Sequence, residues 1–288
     1  MSKIAVITDS NSGVTQTDAQ KLGIHVLPMP FFVDEKLFFE DIDLTQEGFY
    51  DKLQDNCDVS TSQPSPADII ELWERILKEY DEIVHMPMSS GLSASCETAM
   101  GLSQDFDGKV WVVNNQRIAT TLKSSVLDAL TLIEQGKSAK ETKDILENEK
   151  LESSIYIMVD TLKYLKKGGR ITPAAAMIGT VLKVKPVLQI QGAKLDAFAK
   201  ARSQKLAKKI MVDAMREDFA TRFKDYYDNK KLRLGVCHSA NEVEAQLFAR
   251  ELAEVFPGYE IEIAPLPLSV ACHIGPGSLA ITCAKQID

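Results

Sequence analysis

Residues 82–95, EIVHMPMSSGLSAS, decide the fold. The run 82–88 is short and apolar, and it passes directly into a hydroxyl-rich loop, SSGLSAS (89–95), that opens a helix. A short apolar run bounded by Gly and Ser reads as a buried strand. The same pattern lies on either side. Residues 3–8 (KIAVIT) run into Asp9-Ser10 and a polar loop with Gly13, and residues 109–113 (KVWVV) repeat the pattern. Between these strands, Ile69, Ile70, Trp73, Ile76, Leu77 and Tyr80 recur at helical spacing, as do Ile118, Leu122, Val126, Leu130 and Ile133. Strands alternating with helices predict an α/β domain whose mostly parallel sheet is flanked by helices.

Around residue 150 the texture changes. Residues 138–150 read as a charged, solvent-facing helix opened by the capping box Ser138…Glu141. We therefore place a boundary near residue 148, giving domains 1–148 and 149–288. The second half reads as a strand (154–159), a basic turn KKGGR (166–170) and an apolar helix from Pro173. A hairpin over 186–199 follows, with Gly192 at its turn and Leu195, Ala197 and Ala199 alternating. Next comes a long helix (203–227) burying Leu206, Ile210, Ala214, Met215, Phe219 and Phe223. A strand (232–237), a helix opened by Asn241…Glu244 and strands at 259–264 and 279–284 complete a second α/β domain.

The 288 residues are 45% hydrophobic and 26% charged, with a formal net charge of −8, the profile of a soluble globular protein. An acidic surface repels polyanions, so nucleic acid is a disfavoured partner and an anionic bilayer is disfavoured as a permanent one, which leaves room for transient membrane contact. Five scattered cysteines without CxxC spacing argue against a disulfide framework or a zinc site. MSKIAVITDS has no long apolar segment and reads as a strand, so a reducing cytoplasm is the expected location. One stretch stands apart: the 22 residues between Glu262 and Lys285 carry no formal charge. Pro265, Pro267, Gly275, Pro276 and Gly277 would break a spanning helix there, which excludes a membrane anchor.

Several residues are candidates for chemistry. At the start of a helix the SSGLSAS loop offers backbone N–H groups, Ser hydroxyls and Gly91, a ready anion site; equally, one Ser simply caps the helix. The loop STSQPSP (60–66) is a second hydroxyl-rich segment before a helix, where Ser65 or Pro66 fits a helix start. Both loops belong at the carboxyl ends of neighbouring strands, where such sheets bind ligands. No Walker A or GxGxxG sequence is present, which disfavours a nucleotide, and Ser95 stands where a GxSxG elbow needs Gly. His85, inside an apolar strand, reads as a satisfied core residue. His273 lies in CHIGPG (272–277), a loop whose glycines and proline impose an unusual path. Arg170 and Arg202 suit an anion or a partner carboxylate, or plain surface ion pairs.

Five motifs in order carry a resemblance: Thr8-Asp9-Ser10; Ser60 to Pro66; Ser89 to Ser95; Asp160-Thr161-Leu162 with Gly168-Gly169-Arg170-Ile171; and His273-Ile274-Gly275-Pro276-Gly277. From residue 3 to about 285 the chain resembles the DegV family of bacterial fatty-acid-binding proteins. Some members are the FakB-type subunit that presents a fatty acid to a fatty acid kinase. The resemblance implies a DegV-like fold, with a mixed or antiparallel sheet in residues 149–288 and an acyl chain enclosed by the two domains. It implies that Thr61 and Ser93 hold the carboxylate with His273 nearby, supported by Ser62, Gly91, Leu92 and Ala94. Arg170 and Arg202 would serve the kinase or the acyl phosphate. Ala94 and Ala280 stand where the family often has Gly. No cofactor and no metal site are implied, only a bound long-chain fatty acid. The ATP-dependent kinase is a separate partner, and the acyl phosphate feeds phospholipid synthesis. Burying about 15 chain carbons at roughly 0.8 kcal/mol each contributes about 12 kcal/mol before entropy costs. A hydroxyl–carboxylate bond adds roughly 1.5–3 kcal/mol, so the chain dominates affinity and the hydroxyls set direction. The alternative is a serine hydrolase or acyltransferase using Ser93 or Ser95 with His273 as base.

Overall fold

The computed structural model describes residues 2–54, 57–173 and 184–288; the apolar helix expected from Pro173 falls outside the described residues. By backbone contacts the chain divides into two units. Met1–Leu151, Pro267–Ser269 and Ile287–Asp288 form one; Glu152–Leu266 and Val270–Gln286 form the other. The first long segment ends at Leu151, and short C-terminal segments group with it.

The first unit is built on a parallel sheet in the order β2 (His25–Leu27), β1 (Ile4–Asp9), β6 (Glu82–Met86), β7 (Val110–Val112). Successive side chains of a strand face opposite ways. Ala5, Ile7 and Ile83 share one face, Val6, Val84 and Met86 the other, and all are buried. This explains why the strands read as unbroken apolar runs. Helices Pro66–Ile76 and Ser95–Leu102 cover one face with Ile69, Leu72, Trp73, Ile76, Cys96 and Ala99. Helices Ala119–Glu134 and Ala139–Asn148 also pack on this sheet. The second carries the expected Ser138–Glu141 capping box, but it buries Ala139, Thr142 and Leu146, so only part of it is solvent-facing.

A three-stranded antiparallel sheet, β4 (Lys36–Phe39), β3 (Pro30–Val33), β5 (Val59–Thr61), completes this unit and has no counterpart in the sequence reading. Its hairpin turns through Asp34 and Glu35 at φ of 49° and 65°. Such a turn usually advertises itself with Asn-Gly, and Asp-Glu hides it. The hydroxyl-rich loop at 60–66 consequently begins as strand: Ser60 and Thr61 belong to β5.

The second unit carries a six-stranded mixed sheet. Its order is β10 (Leu195–Ala201), β9 (Lys185–Ile190), β8 (Ser153–Met158), β13 (Leu279–Lys285), β11 (Leu232–His238), β12 (Ile261–Pro265). Only β11 and β12 run parallel. Gly192, at φ 104°, lies between β9 and β10 as expected of the hairpin. Met211, Met215 and Phe219 of helix Gln204–Ala220 and Phe248 and Leu252 of helix Glu242–Val255 share a core with Tyr156, Leu234, Val236 and Ile281.

The helix expected over 203–227 is in fact two, Gln204–Ala220 and Lys224–Asp228. Thr221 Oγ1 donates to the Glu217 carbonyl at 2.6 Å, a backward bond that bends helices, and Phe223 N returns to the Asp218 carbonyl at 2.8 Å. Leu206, expected in the core, is 40% exposed. Asn241 precedes its helix without capping it; its Nδ2 donates instead to the Gly277 carbonyl at 3.2 Å. The uncharged stretch becomes the end of β12, helix Leu268–Ile274 and β13. Among the described residues, no helix is long and apolar enough to cross a membrane.

Candidate functional site

In the first unit the site is assembled at the carboxyl ends of β1 and β6. Asp9 closes β1, and its carboxylate accepts from Met88 N at 2.7 Å and from Asn11 N at 3.0 Å. Burial pushes this carboxyl up to about 6, against the pull of those two amides. Asn11 Nδ2 donates to Met88 Sδ at 3.0 Å, and Ser269 Oγ donates to Asn11 Oδ1 at 2.5 Å. The loop start is therefore held by a buried polar cluster.

From there SSGLSAS folds back on itself. The Ser89 carbonyl accepts from Leu92 N at 3.0 Å and Ser93 N at 3.1 Å, and Ser89 Oγ accepts from Gly91 N at 3.3 Å. Ser93 Oγ accepts from Ser95 N at 3.1 Å, in the first residue of helix Ser95–Leu102. This partly satisfies the capping reading, yet the Ser93 hydroxyl hydrogen is not spent on that bond. A hydroxyl can accept and donate at once, so Ser93 can still give a hydrogen bond to an anion. Ala94 precedes the helix with an ordinary φ of −72°, so its methyl group costs no backbone strain.

Thr61 ends β5 opposite Phe31 of β3 and is half-buried. Beyond it, Ser62 N donates to the Pro30 carbonyl at 3.3 Å and Ser62 Oγ to the Gln63 carbonyl at 3.1 Å. Thr98 Oγ1 donates to Gln63 Oε1 at 3.2 Å, which joins this segment to the Ser95–Leu102 helix. Ser65 fulfils its capping reading in a reciprocal box with Asp68. The two hydroxyl-rich loops are therefore neighbours in one unit.

In the second unit two motifs far apart in sequence interlock. A side-chain carbon at Gly168 would collide with the His273 ring, and one at Gly275 with the Tyr164 ring. At Gly277 it would touch Asp160 at 3.4 Å. His273 lies in the last turn of helix Leu268–Ile274, not in the loop expected for it; the irregular path begins at Gly275 and Gly277, with φ of 75° and 84°. Burial first, and then the nearby Arg170 charge, lower the His273 imidazolium to about 4. His273 is therefore a neutral ring at pH 7, able to offer a hydrogen bond but not a counter-charge. Exposed Arg170 donates to the Gly168 carbonyl, and Asp160 pairs with Lys185. Arg202 is exposed between β10 and the helix Gln204–Ala220.

A family model described as "Uncharacterised protein, DegV family" matches residues 3–286. The chain belongs to the DegV family. It is similar to Protein DegV of Bacillus subtilis (strain 168), at 29% identity over 283 residues, covering 96% of this chain and 98% of that one. Among solved structures it resembles a DegV family protein from Thermus thermophilus, described for its fatty acid binding. That match has a TM-score of 0.88 and 29% identity and covers 98% and 99% of the two chains. It also resembles DegV of Bacillus subtilis, described as a fatty acid binding protein, with a TM-score of 0.85, 28% identity and coverage of 99% and 100%.

Two further features of this DegV-family chain lie outside the sequence reading. Thr8-Asp9-Ser10 serves there only as a family marker, although an acid ending a buried strand at the carboxyl edge is itself a signal. Glu40 accepts from Leu268 N at 2.8 Å and from Gln46 Nε2 at 2.9 Å, and burial pushes its carboxyl up to about 8. No local pattern joins residue 40 to residue 268. His85 is buried as expected, but it is not satisfied: among the described residues neither ring nitrogen has a hydrogen-bond partner. The hydrolase alternative gains no support. Ser95 Oγ is buried without a hydrogen-bond partner among the described residues, and Ser93 Oγ already accepts from a backbone amide.

Proposed function

We propose that this protein binds a long-chain fatty acid, with the acid's carboxylate held in the first unit by Thr61 and Ser93. The observation that carries this reading is Ser93, whose oxygen is fixed by Ser95 N–H while its hydrogen is left to donate. The full-length similarity to relatives described as fatty acid binding supports the same ligand class. Several donors share the charge, since a buried carboxylate without a full counter-charge is costly. His273 contributes as a neutral donor in this reading, and Ser62, Gly91, Leu92 and Ala94 shape the loops. The finer proposal is a cytoplasmic carrier, itself not catalytic, that offers the carboxylate to a separate ATP-dependent fatty acid kinase. Arg170 and Arg202 would then face the kinase or the acyl phosphate as exposed cations suited to phosphate.

The test begins with the purified protein, extracted with organic solvent and its extract read by mass spectrometry. A co-purified long-chain acid is expected. Ser93→Ala combined with Thr61→Ala should weaken retention of labelled acid by tenfold or more, as the loss of charged hydrogen bonds of roughly 1.5–3 kcal/mol implies. A protein that arrives empty and takes up no labelled acid would refute the proposal.

A further inference from the structure

Behind the Ser89–Ser95 turn lies a second segment, VNNQRIA (113–119), for which the ligand reading has no use. It leaves β7 and enters helix Ala119–Glu134 with Gln116 and Ala119 at positive φ, 58° and 52°. Neither is glycine, and L-residues hold that conformation only where their surroundings force it. Strain of this kind, placed beside a ligand loop, needs a reason.

The hydrogen bonds supply one. Ser89 N donates to the Arg117 carbonyl at 2.9 Å, and Asn114 Nδ2 donates to Ser90 Oγ at 2.9 Å. Both residues that begin the turn are thus gripped by this one segment. The segment is itself clamped. Arg117 is only 2% exposed; its Nη1 donates to Ser125 Oγ at 3.0 Å and its Nη2 to the Glu149 carbonyl at 2.9 Å. Asn114 N donates to Glu147 Oε1 at 2.9 Å, and the same carboxylate pairs with Lys143 at 2.5 Å. A buried guanidinium is costly to strip of its hydrogen bonds, and the two at Nη1 and Nη2 would be lost if it moved. Its fork therefore resists displacement and fixes the carbonyl that Ser89 requires.

We infer that residues 113–119 are the frame of the carboxylate-binding turn, with Arg117 and Asn114 as positioning residues that never touch the ligand. The inference rests on the fatty-acid reading and adds what sets that site's preference for an acid head group. If the frame slackens, the Ser93 hydroxyl and the helix amides lose their aim at the carboxylate, while apolar contacts with the chain are untouched.

Hexadecanoic acid and hexadecan-1-ol, which share a chain and differ in the head group, separate these effects on the whole protein. Wild type is expected to bind the acid at least tenfold more tightly. Asn114→Ala should lower acid affinity about fivefold, the scale of one neutral hydrogen bond, and leave alcohol affinity unchanged. Ser90→Ala should do the same, and the double variant should lose no more than either single one, since both remove one bond. Arg117→Lys should lower the acid-to-alcohol ratio further; if it does not fold, the Asn114 and Ser90 variants carry the test alone. Equal losses for acid and alcohol, or an unchanged ratio in Asn114→Ala and Ser90→Ala, overturn the frame while leaving the carrier reading intact. A wild type that binds neither ligand overturns both.

Discussion

Two buried ionisable groups in the parallel sheet pull stability in opposite directions with pH. Asp9 titrates at about 6 when folded against an ordinary 3.8, so the folded state holds its proton longer than the unfolded chain. Its contribution to stability is therefore present below about pH 4 and lost as pH rises towards 6. Burial depresses His85 from 6.5 to about 3, so the unfolded chain takes up the proton first. Its contribution is present above pH 6.5 and lost as pH falls. The two slopes oppose each other between about pH 4 and 6. Urea midpoints measured from pH 4 to 7 will separate them. Relative to wild type, Asp9→Asn should lose stability faster on acidification, and His85→Leu should lose less. The leucine variant should also gain roughly 1–2 kcal/mol near pH 5, because it removes two buried nitrogens that lack partners among the described residues. Profiles that run parallel to wild type in both variants would show that neither group titrates within the folded state.

At the level of elements, the interlock of Asp160, Tyr164 and Gly168 with Gly277, Gly275 and His273 makes a specific demand. Three contacts step along the short helix Lys163–Gly168 and its approach, and each needs a small residue at one end. Gly275→Ala meets both an unfavourable positive φ and the Tyr164 ring, and should cost roughly 2–4 kcal/mol. Denaturant unfolding will measure it, and a loss below 0.5 kcal/mol would show that the Tyr164 ring moves aside freely. Elements set by local chemistry were readable in the sequence: the Gly192 hairpin, the Ser65 and Ser138 caps, and the apolar strands buried on both faces. The Asp34–Glu35 hairpin was not, because its turn residues carry no glycine signal, and the break at Thr221 depends on one backward hydroxyl bond. The site divides in the same way. Ser93 lies in one hydroxyl-rich segment and Thr61 at the strand end of another, and such segments point to a candidate anion site. Asp9, Arg117 and Glu40 act through bonds to residues far along the chain, which no local pattern records.

For the molecule as a whole, the first unit is not a contiguous piece of chain. Leu268 N on Glu40, Ser269 Oγ on Asn11 and Ile287 N on Asp128 at 3.1 Å all come from the C-terminal end. A fragment of residues 1–151 lacks these partners and so loses a donor to each of buried Asn11 and Asp128. It should unfold at least 10 °C below the first transition of the whole chain when followed by circular dichroism; an equal midpoint would make the returning segments dispensable. The six-stranded sheet has a parallel consequence for biosynthesis. β13, the last of the six to be translated, lies between β8 and β11. Until it is translated, β8 to β10 and β11 with β12 are two separate ribbons, each with an open apolar edge. Such edges invite pairing with other chains. A nascent or prematurely terminated chain is therefore the form most exposed to aggregation, and a late nonsense mutation should yield insoluble protein, not a shortened folded chain.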